Sequence, residues 1–311
     1  MVYEVAMLKS KFISFLLLVP LIIGLPILYI LVQPQNAQNL DYTLRIHGTP
    51  EIFVNCSLPQ VVNKLPSLKV QCRLNTEDRA KMVALELFNF TGNISRPQFT
   101  EAYLVRNGSR SLWVSDSGGI WYDYFDPNYF PTNLPNFNEA RFIAERLIAK
   151  MIQYGLTPQN PRIAIYFQEV AVGSQSLIPM DGTTKNIIHY LNAIFVIKFG
   201  NIKVSAITVS IGENGSIVGF QGFWRELQES NDIQIISPRE AIEKLNSTGF
   251  GKTMVKPQKV IIERVEIVYF DDRGIQEHQD YLQPVYEFEG FLVDKNGVVV
   301  PFFQRIQATK S

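Results

Sequence analysis

The chain has few of the side chains on which catalysis and metal binding usually depend. Its 311 residues include two cysteines and three histidines, the latter at positions 47, 189 and 278. The histidines do not pair at metal-binding spacing, and neither cysteine belongs to a Cys-x-x-Cys motif. We therefore predict no zinc site, no other metal and no cofactor.

An excess of one charge is also absent. The 29 basic residues balance the 29 acidic ones, and charged residues make up 19% of the chain, below the quarter that is typical of globular proteins. Proteins that bind nucleic acid normally carry a basic surplus. We therefore do not expect a nucleic-acid partner.

One long run contains no charged residue at all. From Phe12 to Val32 it covers 21 residues, enough for a helix to cross the roughly 30 Å hydrocarbon core of a bilayer. Lys9 and Lys11 precede it, and the next basic residue is Arg45. This charge bias predicts a single-pass anchor in the cell membrane, with residues 1–11 in the cytoplasm and the bulk of the chain outside.

Two alternatives to an anchor stay open: a cleaved signal peptide and the buried helix of a soluble protein. A signal peptide has a shorter apolar part and a cleavage site of small residues, which the sequence around Ala37 fits poorly. Pro20 and Pro26 would kink the helix, but membrane helices tolerate proline better than soluble ones do. The anchor is the favoured interpretation.

The two cysteines agree with an extracytoplasmic location. Cys56 and Cys72 both follow the apolar run and are 16 residues apart. In an oxidising compartment they would form a disulfide, which stabilises a loop of this length by about 3 kcal/mol. Two buried thiols are the alternative.

Six Asn-x-Ser/Thr sequons also follow the apolar run. They are candidates for N-glycosylation wherever the host has that machinery. The Asn-Gly-Ser triplets at positions 107 and 214 are also typical of tight turns. The candidate acceptors are Asn55, Asn89, Asn93, Asn107, Asn214 and Asn246.

The first part of the outer region is predicted to be rich in strands. Residues 33–40 form a polar linker, and residues 41–135 form a β-rich domain. Within it, the apolar spacing of residues 80–90 fits either a strand or a helix. Residues 111–125 predict a hairpin around a Gly-Gly turn.

Two helices are predicted after this domain. The first is capped by Asn138, carries one apolar stripe at helical spacing and ends near Gly155. The second has a Ser237 cap followed by Pro238 at its first position and stops before Gly249. The stripe of the first helix is formed by Ala140, Ile143, Ala144, Leu147, Ile148 and Met151.

Strands follow each helix, and the last two of each set are joined through an Asn-Gly pair. These pairs stand at residues 214–215 and 296–297 and are a strong hairpin signal. Two similar units are therefore predicted, at residues 136–228 and 229–311.

The sequence of these two units resembles a known kind of module. The stretches ISPREAIEKL, YLQPVYEFEG and DKNGVVVPFFQRI are similar to PepSY-type modules and to the extracytoplasmic parts of the YycH and YycI regulators of a membrane sensor kinase. The resemblance covers about residues 136–311. It implies a helix packed on an antiparallel sheet, and a role in restraining a peptidase or modulating a kinase, without family catalytic residues.

The predicted fold class is therefore α+β. It consists of an N-terminal transmembrane helix, a β-rich domain with a disulfide, and two helix-plus-antiparallel-sheet modules.

Two segments resemble catalytic or metal-binding motifs. Residues 116–119 read Asp-Ser-Gly-Gly, as in trypsin-like proteases, but Ser115 replaces the usual preceding glycine. The only upstream histidine is His47, too near in sequence for a double barrel to lie between them. A tight turn is the better interpretation. The loop 271–280 offers oxygen ligands for calcium but lacks the spacing of a calcium loop; it contains Asp271, Asp272, Glu277, His278 and Asp280.

An aromatic run is the best candidate for an interaction surface. It includes Trp121, Tyr122, Tyr124 and Phe125. Exposed aromatic residues anchor interfaces, whereas buried ones anchor cores, and the sequence leaves both possibilities open.

The expected function is non-catalytic. We expect a membrane-anchored accessory or regulatory protein that binds another membrane or surface protein. The alternatives are a structural subunit of a membrane or envelope complex, and a metal-assisted hydrolase that uses the loop 271–280.

Overall fold

The computed structural model describes most of the chain after residue 43. The predicted anchor at residues 12–32 and the linker at 33–40 lie outside the described residues. In the described part, no helix combines the length and the apolar character needed to cross a bilayer. The described residues are 44–46, 50–72, 75–126, 129, 131–177, 186–250, 256–271 and 279–310.

Strands dominate the structure. Strands contain 52% of the residues and helices contain 19%. The described residues form fifteen strands and three α-helices. The predicted α+β fold, with a separate β-rich domain and two PepSY-like modules, is therefore wrong. The reason is strand pairing: strands that precede residue 135 hydrogen-bond to strands that follow it and complete the same sheet.

The first helix of the described residues, α1, spans Glu77–Phe88. The hydroxyl of Thr76 accepts the backbone N–H of Arg79, and Asn89 ends the helix in the left-handed conformation with φ of 50°. This helix settles the ambiguity of residues 80–90. The stripe of Ala80, Val83, Ala84 and Leu87 is buried, as expected for one apolar face of a helix.

Helices α2 and α3 lie close to where the sequence predicts them. Helix α2 spans Phe137–Gln153 and α3 spans Pro238–Thr248, with Ser237 as its cap. The predicted cap of α2 is wrong by two residues. Asn136 is the cap, because its side chain accepts the N–H groups of Asn138 and Glu139 while Glu139 bonds back to the Asn136 N–H.

The chain folds into two compact units. The terminal unit comprises Met1–Pro66, Asn231–Val268 and Pro284–Ser311, and the central unit comprises Ser67–Ser230 and Tyr269–Gln283. These units do not follow the predicted boundaries at residues 135 and 228.

The central unit contains an eight-stranded sheet in which all seven pairings are antiparallel. Its strand order is β8-β9-β10-β11-β7-β6-β5-β4. The turn between β6 and β7 confirms the predicted Gly-Gly hairpin. The strands are β4 (Asn93–Ser95), β5 (Ala102–Asn107), β6 (Arg110–Ser115), β7 (Gly119–Tyr124), β8 (Ile163–Leu177), β9 (Asn186–Phe199), β10 (Ile202–Ile211) and β11 (Ile217–Phe223).

Helices α1 and α2 cover one face of this sheet, and the hydrophobic core lies between the helices and the sheet. Phe88 of α1 stacks on Tyr122 of β7, with ring centroids 4.2 Å apart. The predicted stripe of α2 is buried with them, apart from the partly buried Ile143. The helix pattern read from sequence is therefore the pattern that packs on the sheet.

The terminal unit contains a mixed sheet with strand order β1-β2-β13-β14-β15. Strands β2 and β13 are parallel, and the other registered pairs are antiparallel. Helix α3 contacts β15. The strands are β1 (Leu44–Ile46), β2 (Glu51–Val54), β13 (Pro257–Phe270), β14 (Tyr281–Asp294) and β15 (Val299–Gln307); β3 (Lys64–Gln71) and β12 (Glu226–Gln234) contribute residues to both units, as do β13 and β14.

Two buried polar side chains of strand Tyr281–Asp294 in the terminal unit have hydrogen-bond partners. The hydroxyl of Tyr286 donates to the carbonyl of Ile236 at 2.9 Å, and burial raises the pKa of Tyr286 to about 12. Glu287, which is 5% exposed, accepts from Arg305 at 2.7 Å, directly across the sheet. The buried carboxylate of Glu287 therefore has an arginine as its counter-charge.

A buried ion pair joins three segments of the central unit. Arg225 is 2% exposed, and its guanidinium donates twice to Asp271, at 2.6 and 3.0 Å. A third bond reaches the carbonyl of Ser117 in the β6–β7 turn, at 3.2 Å. The geometry is bidentate, the strongest form of this interaction.

We predict that Arg225→Met lowers the free energy of unfolding by about 3–5 kcal/mol, because it leaves the Asp271 carboxylate poorly solvated and without its counter-charge. Adding Asp271→Leu should recover most of the loss, since apolar side chains can replace a buried pair. Urea unfolding of the full chain in mild detergent measures both.

The control is Arg239→Met, which removes an exposed pair with Glu243 and should change stability by less than about 1 kcal/mol. Equal effects of Arg225→Met and Arg239→Met would contradict a structural role for the buried pair.

Candidate interaction surface

The aromatic run is divided between the two faces of the central sheet. Side chains alternate along a strand, so Tyr122 and Tyr124 of β7 point toward the helices. Tyr122 is 2% exposed, and Tyr124 is partly buried against the core. Trp121 lies on the opposite, open side, and Phe125, which follows the strand, is 53% exposed. Two of the four predicted interface residues therefore belong to the core side.

A row of side chains crosses the open face at the level of Trp121. We call it the tryptophan row. Trp121 faces Trp113 of β6 directly, and Trp113 faces Leu104 of β5. On the other side, Trp121 faces Gln221 of β11, which in turn faces Thr208 of β10. All five side chains are partly exposed.

Trp113 is a residue that the sequence analysis missed. The signal was present, because Trp113 and Trp121 stand four residues on either side of Ser117. A hairpin centred on that turn brings such positions opposite one another. The aromatic run alone does not reveal Trp113, which becomes a neighbour only when the two strands of the hairpin are paired.

Polar side chains border the tryptophan row. The next row on the same face contains Asp123, Ser111, Arg106 and Asn93, which are opposite one another across β7, β6, β5 and β4. Neighbouring protein atoms displace part of the water around the Asp123 carboxyl and thereby raise its pKa, and a hydrogen bond from Trp121 opposes that shift. The side chain is still exposed to solvent. An apolar centre with a polar rim is the usual anatomy of a protein interface.

Asp116 is the centre of a polar network beside the β6–β7 turn. It is 4% exposed and accepts the backbone N–H of Asn75 at 2.8 Å and the guanidinium of Arg96 at 2.7 Å. The side chain of Asn75 donates to the carbonyl of Ser115 at 2.6 Å. The carboxylate thus joins the segment before α1 and the β4–β5 loop to the turn.

The motif at residues 116–119 is structural. Ser117 is 1% exposed, and its hydroxyl is 2.9 Å from that of Ser115. The adjoining cavity holds about 40 Å³, enough for a few waters, whereas small-molecule sites span about 300–1,000 Å³. Gly118 has φ of +91°, and a Cβ there would lie 2.8 Å from the carbonyl oxygen of Trp224. Glycine is therefore required by the turn itself.

The candidate metal loop is described only in part. Asp272, Glu277 and His278 lie outside the described residues, and the carboxylate of Asp271 is engaged by Arg225. In the described ranges, no group of three or more His, Cys, Asp or Glu side chains is arranged to hold a metal ion.

The candidate glycosylation sites differ in exposure. Asn55 and Asn246 are partly buried, and the other four acceptors are exposed. Three of these lie near β4: the amide of Asn107 donates to the carbonyl of Thr91 at 2.6 Å, Arg110 donates to that of Asn89, and Asn93 is on β4. At Asn214 the side-chain oxygen accepts from Asn133. Glycosylation stays a prediction.

No disulfide joins Cys56 and Cys72 among the described residues, and the disulfide stays a prediction. Cys56 belongs to the terminal unit and Cys72 to the central unit. Burial raises the pKa of both thiols above the ordinary value. Such a shift lowers the fraction of reactive thiolate at neutral pH.

Neither a protein-family model nor a characterised protein matches the chain. The partly exposed tryptophan row, with its polar border, is the feature of the described residues that best fits a binding function.

Alkylation tests the predicted disulfide, because Cys56 and Cys72 would react with iodoacetamide without prior reduction only if they are thiols. The rate should rise about tenfold from pH 7 to pH 8, because the thiolate fraction below the pKa grows in that proportion. Mass spectrometry of the full chain, alkylated at each pH, measures it. A chain that is alkylated only after reduction would instead carry the disulfide expected from sequence.

The two faces of β7 should respond differently to truncation. Tyr122→Ala removes a fully buried ring and should lower the free energy of unfolding by about 3–5 kcal/mol. Trp121→Ala acts on the open face and should lower it by about 1 kcal/mol. Thermal unfolding of the full chain compares them, and a larger loss for Trp121→Ala would contradict the assignment of faces.

Proposed function

We propose that this protein is a membrane-anchored, non-catalytic accessory protein that binds another membrane or surface protein through the tryptophan row. The observation that supports the proposal is the cross-strand pair of Trp113 and Trp121 on the open sheet face. Tryptophan is among the residues that contribute most to binding energy at protein interfaces.

The setting of the pair favours tight binding. Both indoles stand on the middle of short hydrogen-bonded strands, so a partner would order few additional side chains. Rigid presentation reduces the entropy lost on association. The border of Asp123 and Arg106 offers groups that would fix the orientation of a partner.

The proposed anchor adds to this binding. Tethering to the same membrane raises the effective concentration of one protein near another. The balanced net charge of the chain provides no general attraction to nucleic acid. The proposal therefore rests on local shape and apolar contact at the sheet face.

The test is a mild-detergent purification of the full chain from its native membrane, with mass spectrometry of the proteins that accompany it. We expect one protein in a fixed ratio. The double variant Trp113→Ala/Trp121→Ala should reduce its recovery at least tenfold, because interface tryptophans contribute about 2 kcal/mol or more each.

Tyr166→Ala is the matched control, because Tyr166 is an exposed aromatic residue on β8 outside the tryptophan row. It should leave recovery unchanged. If no protein accompanies the wild-type chain, the accessory function is wrong. If the double variant folds and retains the partner, the surface is wrong.

A further inference from the structure

Phe99 is the most exposed large apolar side chain among the described residues. Its relative exposure is 94%, against 61% for Val61, the next in order. It lies in the short loop between β4 and β5 of the central unit. Single exposed apolar residues are common on protein surfaces, so exposure alone does not indicate a function.

The backbone of Phe99 is also strained. Its φ is 65°, and the only other non-glycine residues with positive φ in the described ranges are Asn89 and Asn214. Asparagine tolerates this conformation, whereas a bulky side chain is a genuine outlier there. The N–H of Thr100 bonds to the carbonyl of Pro97 at 3.2 Å, which makes a β-turn whose third position ordinarily holds Gly or Asn.

Contacts of Arg96 and Thr100 fix the conformation of the turn. Arg96, which precedes it, is paired with the buried carboxylate of Asp116, and its guanidinium lies 5.1 Å from the ring centroid of Tyr103. The hydroxyl of Thr100 donates to the carbonyls of Pro97 and Ala102, at 2.8 and 3.3 Å. The ring is therefore displayed on a preorganised support.

We propose that Phe99 is an anchor residue that inserts into an apolar pocket of the partner protein. The inference rests on the proposed binding function and names a further part of its interface. The turn leads into β5, whose Leu104 belongs to the tryptophan row. Phe99 and Leu104 are five residues apart in the chain, which even fully extended spans at most about 18 Å, within the roughly 30 Å diameter of a standard-size interface.

A pocket in a protein fits the turn better than a lipid surface does. Phe99 is the one large apolar side chain of the turn 97–100, where it stands between the polar Gln98 and Thr100. Stable attachment to a bilayer needs a larger apolar area or several anchoring groups. A single ring suits a hole the size of one side chain, as in protein hot spots.

The test uses the full chain purified from native membranes and two variants, Phe99→Asn and Phe99→Gly. Both residues accept positive φ, so each variant should relieve strain and raise Tm by about 2–4 °C. Both should reduce recovery of the partner that accompanies the wild-type chain at least tenfold. Phe142→Ala is the control, because Phe142 is 60% exposed on α2, and it should change neither quantity.

A photoreactive benzoylphenylalanine at position 99 identifies what the ring contacts. The expected product joins the chain to the same protein that accompanies the wild-type chain. A product with lipid, a product with a second copy of the chain, or full recovery of the partner with Phe99→Asn would each overturn the proposal. If the wild-type chain has no partner, the accessory function itself fails, which is a different result.

Discussion

The central unit depends on satisfying the buried guanidinium of Arg225. A charge removed from water is tolerated only when its hydrogen bonds and its counter-charge are supplied. Asp271 supplies the charge, and the carbonyl of Ser117 supplies a further acceptor. The adjacent Asp116 brings a second ion pair, with Arg96. Two consecutive turn residues, Asp116 and Ser117, therefore contact three other segments of the chain, at Asn75, Arg96 and Arg225.

This arrangement fixes the turn between β6 and β7, and the turn sets the register of the hairpin. A shift of one residue would move every side chain to the opposite face. Tyr122 would leave the core, and Trp121 would enter it. The polar network is thus a condition for the aromatic surface, because it holds the register that places Trp113 opposite Trp121.

The sequence predicted local structure better than it predicted pairing. The Gly-Gly hairpin and the helix that begins after Ser237 follow from signals within a few residues, and both are present. The pairing of β7 with β11 depends on residues about a hundred positions apart, for which no local pattern exists. That pairing is why the predicted separate domain was wrong. The anchor at residues 12–32 stays a prediction.

For the candidate surface too, the sequence predicts the residue types but not which face of the sheet they occupy. The aromatic run predicts Trp121, Tyr122 and Phe125 as surface candidates alike, although Tyr122 is buried. Only the alternation of a known strand separates them. Arg225 and Asp271 could not be paired from sequence, because charged residues 46 positions apart carry no sign of their contact.

Phe99 shows a different relation between sequence and structure. At Asn89 and Asn214 the chain places a tolerant residue in the left-handed conformation, in agreement with local preference. At Phe99 it places a bulky ring there and exposes it almost completely. Neither burial nor backbone preference stabilises that choice, and the Arg96–Asp116 pair holds the turn in place. Departures from local rules that the surroundings enforce are concentrated at functional sites, and recognition of a partner is the role that an exposed ring can perform.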